Sequence, residues 1–341
     1  MAKIFETNLS GKELLKHVGH SSQLMGARKM TIDEGPGKGT TVIRVRNGIG
    51  LDITILPDRG LDIWEAYYKG IPLAWISKSE LIANTHYNDK GAGWLRSFNG
   101  GLLTTCGLRN VGVPVETEGE SFGVHGRYSN TPATHISIHE YWEDDEFIIK
   151  VSGKIREAVT FGENLVVNRT ITVSTKDNTI DIHDQIVNES FRQEEYMLLY
   201  HFNWGYPLVD ESLSIDIDVS NTKSRDFELE SSSRWRKFNP PTHNFQEEVF
   251  FHDIKPDQTN QCKYQLTNHK IGLQTEVKWN RDALDHLVQW KMPGEGDYVL
   301  GMEPANCRVM GRTEEKKAGR IKKLDSFEEK NINILLTIRS I

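Results

Sequence analysis

The sequence predicts an all-β protein with minor α content, built as a large antiparallel β-sandwich. Two observations carry that expectation. Short runs that alternate apolar and polar residues recur from about residue 40 to the end of the chain, the pattern of strands with one buried face. Acidic or Asn-containing turn signals separate these runs, as in a meander or a sandwich. With 341 residues, a single domain over residues 1–341 accommodates the whole series.

The elements follow in order. Ser10-Gly-Lys-Glu13 has the spacing of a capping box and leads into Leu14, Leu15 and Val18, which predicts a short helix inside a lead-in of residues 1–40. Thr41 to Leu56 alternates on both sides of Asn47-Gly48, a dipeptide suited to a tight turn, and predicts a hairpin. In Leu56-Pro-Asp-Arg-Gly-Leu-Asp-Ile63, Arg59 and Asp62 interrupt apolar strand material. They either point into a cleft or pair with each other at a sheet rim. Trp94 to Gly112 is rich in glycine yet matches neither a P-loop nor a dinucleotide-binding turn; its glycines mark tight bends and close backbone approach. Arg96 is the residue there suited to a ligand hydroxyl, or else to structural pairing.

Glu116 to Ser121 reads as a polar loop. It delivers the chain to Phe122-Gly-Val-His-Gly126, where little bulk along the chain shields His125. A long antiparallel series follows: Ile136 to Trp142, Phe147 to Ile155, Leu165 to Val173, Ile180 to Val187, and residues 196 to 202 as its extension. The last of these ends in His201, Asn203 and Trp204 before Gly205 and Pro207. A polar cluster at a strand exit is either a site on a rigid base or a satisfied core histidine. Beyond it, Leu213 to Val219 alternates again, and residues 220–256 read as an insertion or lid. Strands are predicted at Ile271 to Trp279, Leu287 to Lys291, Tyr298 to Glu303 and Ile332 to Ile338. The basic stretch Glu314 to Lys323 reads as a solvated loop.

A net charge of −7, with Lys and Arg scattered, argues against nucleic acid or an anionic membrane as partner. Cys106, Cys262 and Cys307 are few, distant and in no Cys-x-x-Cys arrangement. Neither a disulfide framework nor a thiolate metal site is indicated, and a reducing compartment fits. The N-terminus shows no apolar signal core and no run is long enough to span a bilayer, so the expected location is cytoplasmic. An oligomer is possible but not indicated.

Several local stretches, taken together, resemble the galactose mutarotase-like (aldose 1-epimerase) superfamily: Leu56 to Ile63, Phe122 to Gly126, Leu199-Tyr-His-Phe-Asn203, Val288-Gln-Trp290 and Val299-Leu-Gly-Met-Glu-Pro304. The order His-Gly, strand-end His, Gln, Glu is similar to the mutarotase order. The resemblance implies a supersandwich with a sugar site on one face. It implies His201 as general acid on the ring oxygen, Glu303 as general base on the anomeric hydroxyl, and His125 as a hydrogen-bonding assistant. Arg96, Asn203, Gln289, Arg59 and Trp204 are the expected substrate-binding residues. Trp94 and Trp290 are further candidates for stacking on a sugar ring, although core packing is the commoner use of Trp. Two departures stand out. The family's hydroxyl-holding aspartate has no clear match in Glu247 to Asp253, and Glu303 lies in Glu-Pro-Ala-Asn.

The implied chemistry is anomer interconversion of a monosaccharide or sugar derivative. Opening a cyclic hemiacetal takes a proton from the anomeric hydroxyl and gives one to the ring oxygen, so one carboxylate and one imidazole suffice and no cofactor is called for. The alternatives are a non-catalytic carbohydrate-binding or regulatory module on the same fold, and a metal-dependent enzyme using His135, His139, His183 and Asp184.

Overall fold

The computed structural model describes residues 2–4, 7–117, 119–226 and 234–341. Near its start a single helical turn, Gly11–Leu14, is closed by the expected capping box: Ser10 Oγ accepts from the Glu13 N–H, and the Glu13 carboxylate accepts from the Ser10 N–H at 2.9 Å. Strand Gly26–Thr31, still inside the 1–40 stretch, already pairs with Thr41–Arg46.

Among the described residues the strands form two large sheets. The eight-stranded one runs Thr134–Glu143, Glu146–Ala158, Asn164–Ser174, Thr179–Asn188, Glu329–Ser340, Leu273–Asn280, Gln261–Asn268, Ser214–Ile217. The twelve-stranded one has the main path Val219–Ser224, Glu248–Ile254, His286–Gly294, Asp297–Ala305, Glu194–Trp204, Leu103–Leu108, Asp62–Tyr68, Leu51–Leu56, Thr41–Arg46, Gly26–Thr31. All of these neighbours are antiparallel. Alternation explains the layering. In Asn164–Ser174 every second side chain is buried from Val167 onward, whereas Glu194–Trp204 is buried on both faces almost throughout. One apolar core, with Ile171, Ile182, Leu198, Phe202, Val277 and Ile334 among its members, fills the space between the sheets.

Four expectations need correction. The strand carrying His201 does not extend the meander: it crosses to the other sheet, between Asp297–Ala305 and Leu103–Leu108, because it is apolar on both faces and needs cover on both. The Asn47-Gly48 hairpin turns over four residues, 47 to 50, with Asn47 Oδ1 accepting from the N–H groups of Ile49 and Leu51. The basic stretch 314–323 contains most of a helix, Arg312–Lys317, and part of a short strand, Lys322–Leu324. Glu315 anchors it, fully buried and bonded to Arg320 and to the Arg308 N–H. The polar loop at 116–121 is largely a hairpin of Val115–Thr117 and Glu120–Phe122, Glu118 lying outside the described residues. Of the 220–256 stretch, residues 227–233 also lie outside them. Its flanks build the sheet edge through Val219–Ser224 and Glu248–Ile254.

One polar network crosses the core. Arg169 on the smaller sheet forms ion pairs with Asp184 beside it and with Asp62 on the larger sheet, at 2.6 and 2.7 Å. The Tyr200 hydroxyl donates to Asp184 at 2.6 Å. Arg59 and Asp62 therefore neither enter a cleft nor pair at a rim. Both are buried, Asp62 in this network and Arg59 on the carbonyls of Ile82 and Ser97.

Candidate active site

Period-two geometry sorts the strand Glu194–Trp204. Tyr200, Phe202 and Trp204 enter the core between the sheets; Met197 and Leu199 face the other way, into a second cluster with Trp94, Phe98 and Val288. His201 belongs to this outer face. On the adjacent strand, Glu303 lies beside His201, between the strand pairs Leu199–Ala305 and Phe202–Met302. His201 Nε2 and Glu303 Oε1 stand 3.1 Å apart, both side chains almost fully buried. Neither His201 Nδ1 nor Glu303 Oε1 has a hydrogen-bond partner among the described residues. The pair is thus close, desolvated and unsatisfied, an arrangement more typical of a working site than of a structural one.

Gly301 makes room for it. A β-carbon there would stand 2.7 Å from Glu303 Oε1 and 3.2 Å from His201 Cε1. His125 arrives from the loop below strand Leu103–Leu108, at a φ of 58°. Its backbone is held on both sides, the N–H donating to Gly112 O and the carbonyl accepting from Gly107 N, each at 3.0 Å. Side chains are excluded where this loop meets its neighbours: a β-carbon at Gly112 would lie 2.0 Å from Val309 O. His125 Nδ1 accepts from the Gly112 N–H at 3.4 Å, which places the ring proton on Nε2. The His125 and His201 rings are 5.8 Å apart, edge to face.

These groups open into a cavity of about 600 Å³. Aromatic rings wall it: Phe98 and Trp290 lie 5.6 and 5.5 Å from the His201 ring, Trp75 lies 6.0 Å from Trp290, and Trp94 stacks on Phe98 at 4.3 Å. On the side of Glu248–Ile254, the Glu247 carboxylate accepts from Trp290 Nε1 at 2.9 Å and from Arg225 at 2.8 Å.

Burial sets the electrostatics. It lowers the His201 pKa to about 3, helped by His125, and that of His125 to about 4. Burial first, then the charge of Glu247, hold Glu303 well above the usual carboxylate range. The favoured state is therefore a neutral imidazole beside a protonated carboxyl. It carries the same number of protons as the expected ion pair, and moving one proton across the pair interconverts the two.

The other expected site residues are placed elsewhere. Trp204 points into the core, its indole N–H donating to the Tyr264 hydroxyl at 3.1 Å; one residue beyond Asn203, strand parity puts it on the opposite face. Asn203 is buried and donates to Gly101 O and His201 O, steadying the backbone of the histidine. Gln289 accepts from His252 and donates to the Trp235 carbonyl, fastening the 234–238 segment to the sheet. Arg59 pins the loop that carries Trp94 and Phe98. Arg96 is exposed and lies off the cavity lining, where Leu95 and Trp94 stand instead. Asp184 is turned into the core by Arg169 and Tyr200, away from the exposed His183. Among the described residues no group of three His, Cys, Asp or Glu side chains is placed to hold a metal.

The reading of the sequence missed Trp75, Phe98, Arg225 and Gly301 as parts of the cavity, and did not single out Glu247 within its unmatched segment. For Trp75 the signal is purely tertiary, its N–H donating to Asn203 O at 3.0 Å.

A family described as a domain of unknown function, DUF4432, matches residues 37–338. No curated protein matches the chain. Among solved structures, a candidate aldose 1-epimerase from Klebsiella pneumoniae superposes with a TM-score of 0.86 at 23% identity, over 93% of this chain and 86% of that one. A galactose mutarotase-like protein from Clostridium acetobutylicum gives 0.64 at 14%, over 94% and 100%. Galactose 1-epimerase from Lactobacillus acidophilus gives 0.60 at 13%, over 93% and 99%. At these identities the likeness establishes the galactose mutarotase-like β-sandwich fold. No helix among the described residues is long and apolar enough to cross a membrane.

Proposed function

The chain belongs to the DUF4432 family, and from that premise we propose that it interconverts the anomers of a sugar by general acid–base ring opening and closure, with His201 and Glu303 as the proton-transfer pair. The observation that carries this reading is the 3.1 Å approach of His201 Nε2 to Glu303 Oε1 on the floor of an aromatic-walled cavity. Two groups that exchange protons with neighbouring oxygens of one ring must lie about this close, and each contributes roughly 10²- to 10⁴-fold in rate.

In the forward half-reaction Glu303 takes the proton of the anomeric hydroxyl while His201 gives one to the ring oxygen. The products are an open aldehyde, a protonated Glu303 and a neutral His201. Burial favours that protonation state, so the site supports the open form. Rotation about the bond to the aldehyde carbon and reversal of both transfers closes the ring on the other face. His125, with its proton on Nε2, donates a hydrogen bond to a substrate oxygen; Glu247 accepts from a ring hydroxyl, and Trp290 packs against the ring's C–H face. Three cysteines, unpaired and buried, support the expected cytoplasmic setting.

The test is anomer exchange measured by two-dimensional NMR on a panel of aldoses. Exchange accelerated above the buffer rate for at least one sugar is expected. Sugar binding without acceleration would instead identify a carbohydrate-binding module.

A further inference from the structure

We infer that the substrate is an uncharged reducing sugar bearing an apolar substituent at a position remote from its anomeric carbon. This rests on the reading of the His201–Glu303 pair as the anomerising site. The cavity, at about 600 Å³, lies in the range that encloses a drug-sized ligand, roughly 300–1,000 Å³, and exceeds what one pyranose ring fills. The reacting pair is on its floor, so the surplus volume lies toward the mouth.

The mouth is chemically divided. On the side of strand Leu103–Leu108 its lip is Leu95, Val113 and Pro114, with Leu95 58% and Val113 46% exposed. These aliphatic groups stand in water at the entrance of a pocket, where they offer a sugar's hydroxyls no side-chain partner. A second sugar unit would leave its polar groups unpaired against them, whereas an alkyl or acyl chain would bury apolar area on both partners.

The polar side disfavours an anion. Arg225, the cation on the lining, is committed to Asp226 at 2.7 Å and to Glu247 at 2.8 Å. Asp297, also on the lining, is met by Lys78 at 2.7 Å. A phosphate or carboxylate on the substrate would approach Glu247 and Asp297 with no guanidinium fork left to receive it.

The experiment compares 6-O-butanoyl esters of glucose, galactose and mannose with their parent sugars and their 6-phosphates. Binding is measured by calorimetry and anomer exchange by NMR. For at least one of the three sugars the ester is expected to bind about tenfold or more tighter than its parent, with the phosphate weakest, and Leu95→Ser and Val113→Ser are each expected to narrow the ester-to-parent ratio. Equal binding of ester and parent across all three, tighter binding of a phosphate, or no binding of any ester overturns the inference. Tight ester binding without anomer exchange would sink the catalytic reading and leave this one standing; exchange of the parent sugars with no ester preference would do the reverse.

Discussion

A β-carbon at Gly301 would stand 2.7 Å from Oε1 of Glu303. The strand partner on either side of Gly301 is fixed, Asn203 on one and Trp290 on the other, so the backbone has little freedom to yield. Gly301→Ala should push the carboxyl away from His201 while leaving the strand ladder in place. A displacement on the order of 1 Å costs about 10²-fold in rate. The expected result is a fall of that size in kcat with a thermal midpoint close to wild type; unchanged kcat would show that the pair need not be so close.

His201→Ala and Glu303→Gln each remove one member of a unit that transfers protons in concert. Either change should lower anomer exchange by roughly 10²- to 10⁴-fold, and the double variant should be little worse than the slower single one. Folding should survive, because both residues are unsatisfied in the native state and their loss orphans no partner. NMR exchange rates alongside circular dichroism check this, and full activity in either single variant would refute the assignment.

The working pair holds one proton, and its pH limits follow from burial. Adding a second proton means charging His201, whose pKa is lowered to about 3, so activity should persist as pH falls through the ordinary histidine range. Losing the proton means ionising Glu303, which burial holds well above the usual carboxylate range, so the alkaline limb should lie higher than an ordinary carboxylate would place it. A kcat/KM profile flat from pH 5 to pH 7 is expected. An acid limb near pH 6.5 would mean that an unperturbed imidazole governs the rate.

Glu247 raises the Glu303 pKa through its charge, second to burial. Glu247→Gln keeps an oxygen for the Trp290 indole N–H but removes that charge. The Glu303 pKa should then fall, and the alkaline limb should move to lower pH with the acid limb unmoved. A purely structural role for Glu247 would lower the rate without shifting the limb, which the pH profile of the variant distinguishes.

These residues show what a sequence reveals and what it withholds. Strand alternation exposed the sandwich, and the order of short motifs brought His125, His201 and Glu303 together, because each lies in a local pattern that survives in one dimension. Parity within the Tyr196–Trp204 run already separated Trp204 from His201. Arg59 and Gln289 were misjudged for a different reason: their partners are backbone carbonyls of Ile82, Ser97 and Trp235, and a polar residue that satisfies a distant carbonyl looks, in sequence, like one awaiting a ligand. Glu247 and Trp75 join the cavity through tertiary contacts alone. The crossing of the Glu194–Trp204 strand to the second sheet was signalled by its unbroken apolar run, which asks for cover on both faces.

The Arg169 network should prove essential to stability. Arg169 is fully buried and its two carboxylate partners nearly so, and the Tyr200 hydroxyl and Thr105 complete it. Arg169→Met would leave Asp62 and Asp184 facing each other in an apolar core without a counter-charge, a loss of about 3–5 kcal/mol for a broken buried pair. Both carboxyls would then have folded-state pKa values above their unfolded ones. Their penalty would be full above those raised values and relieved as pH falls through them. Urea unfolding should therefore show a larger deficit at pH 8 than at pH 5, and adding Asp184→Asn should recover part of it. Because Tyr200 is bonded to Asp184 and adjoins His201 in the chain, the variant should also lose anomer exchange before it unfolds. A deficit under about 1 kcal/mol, equal at both pH values, would mean that the core tolerates the carboxylates unpaired and that the network is not what joins the two sheets beneath the site.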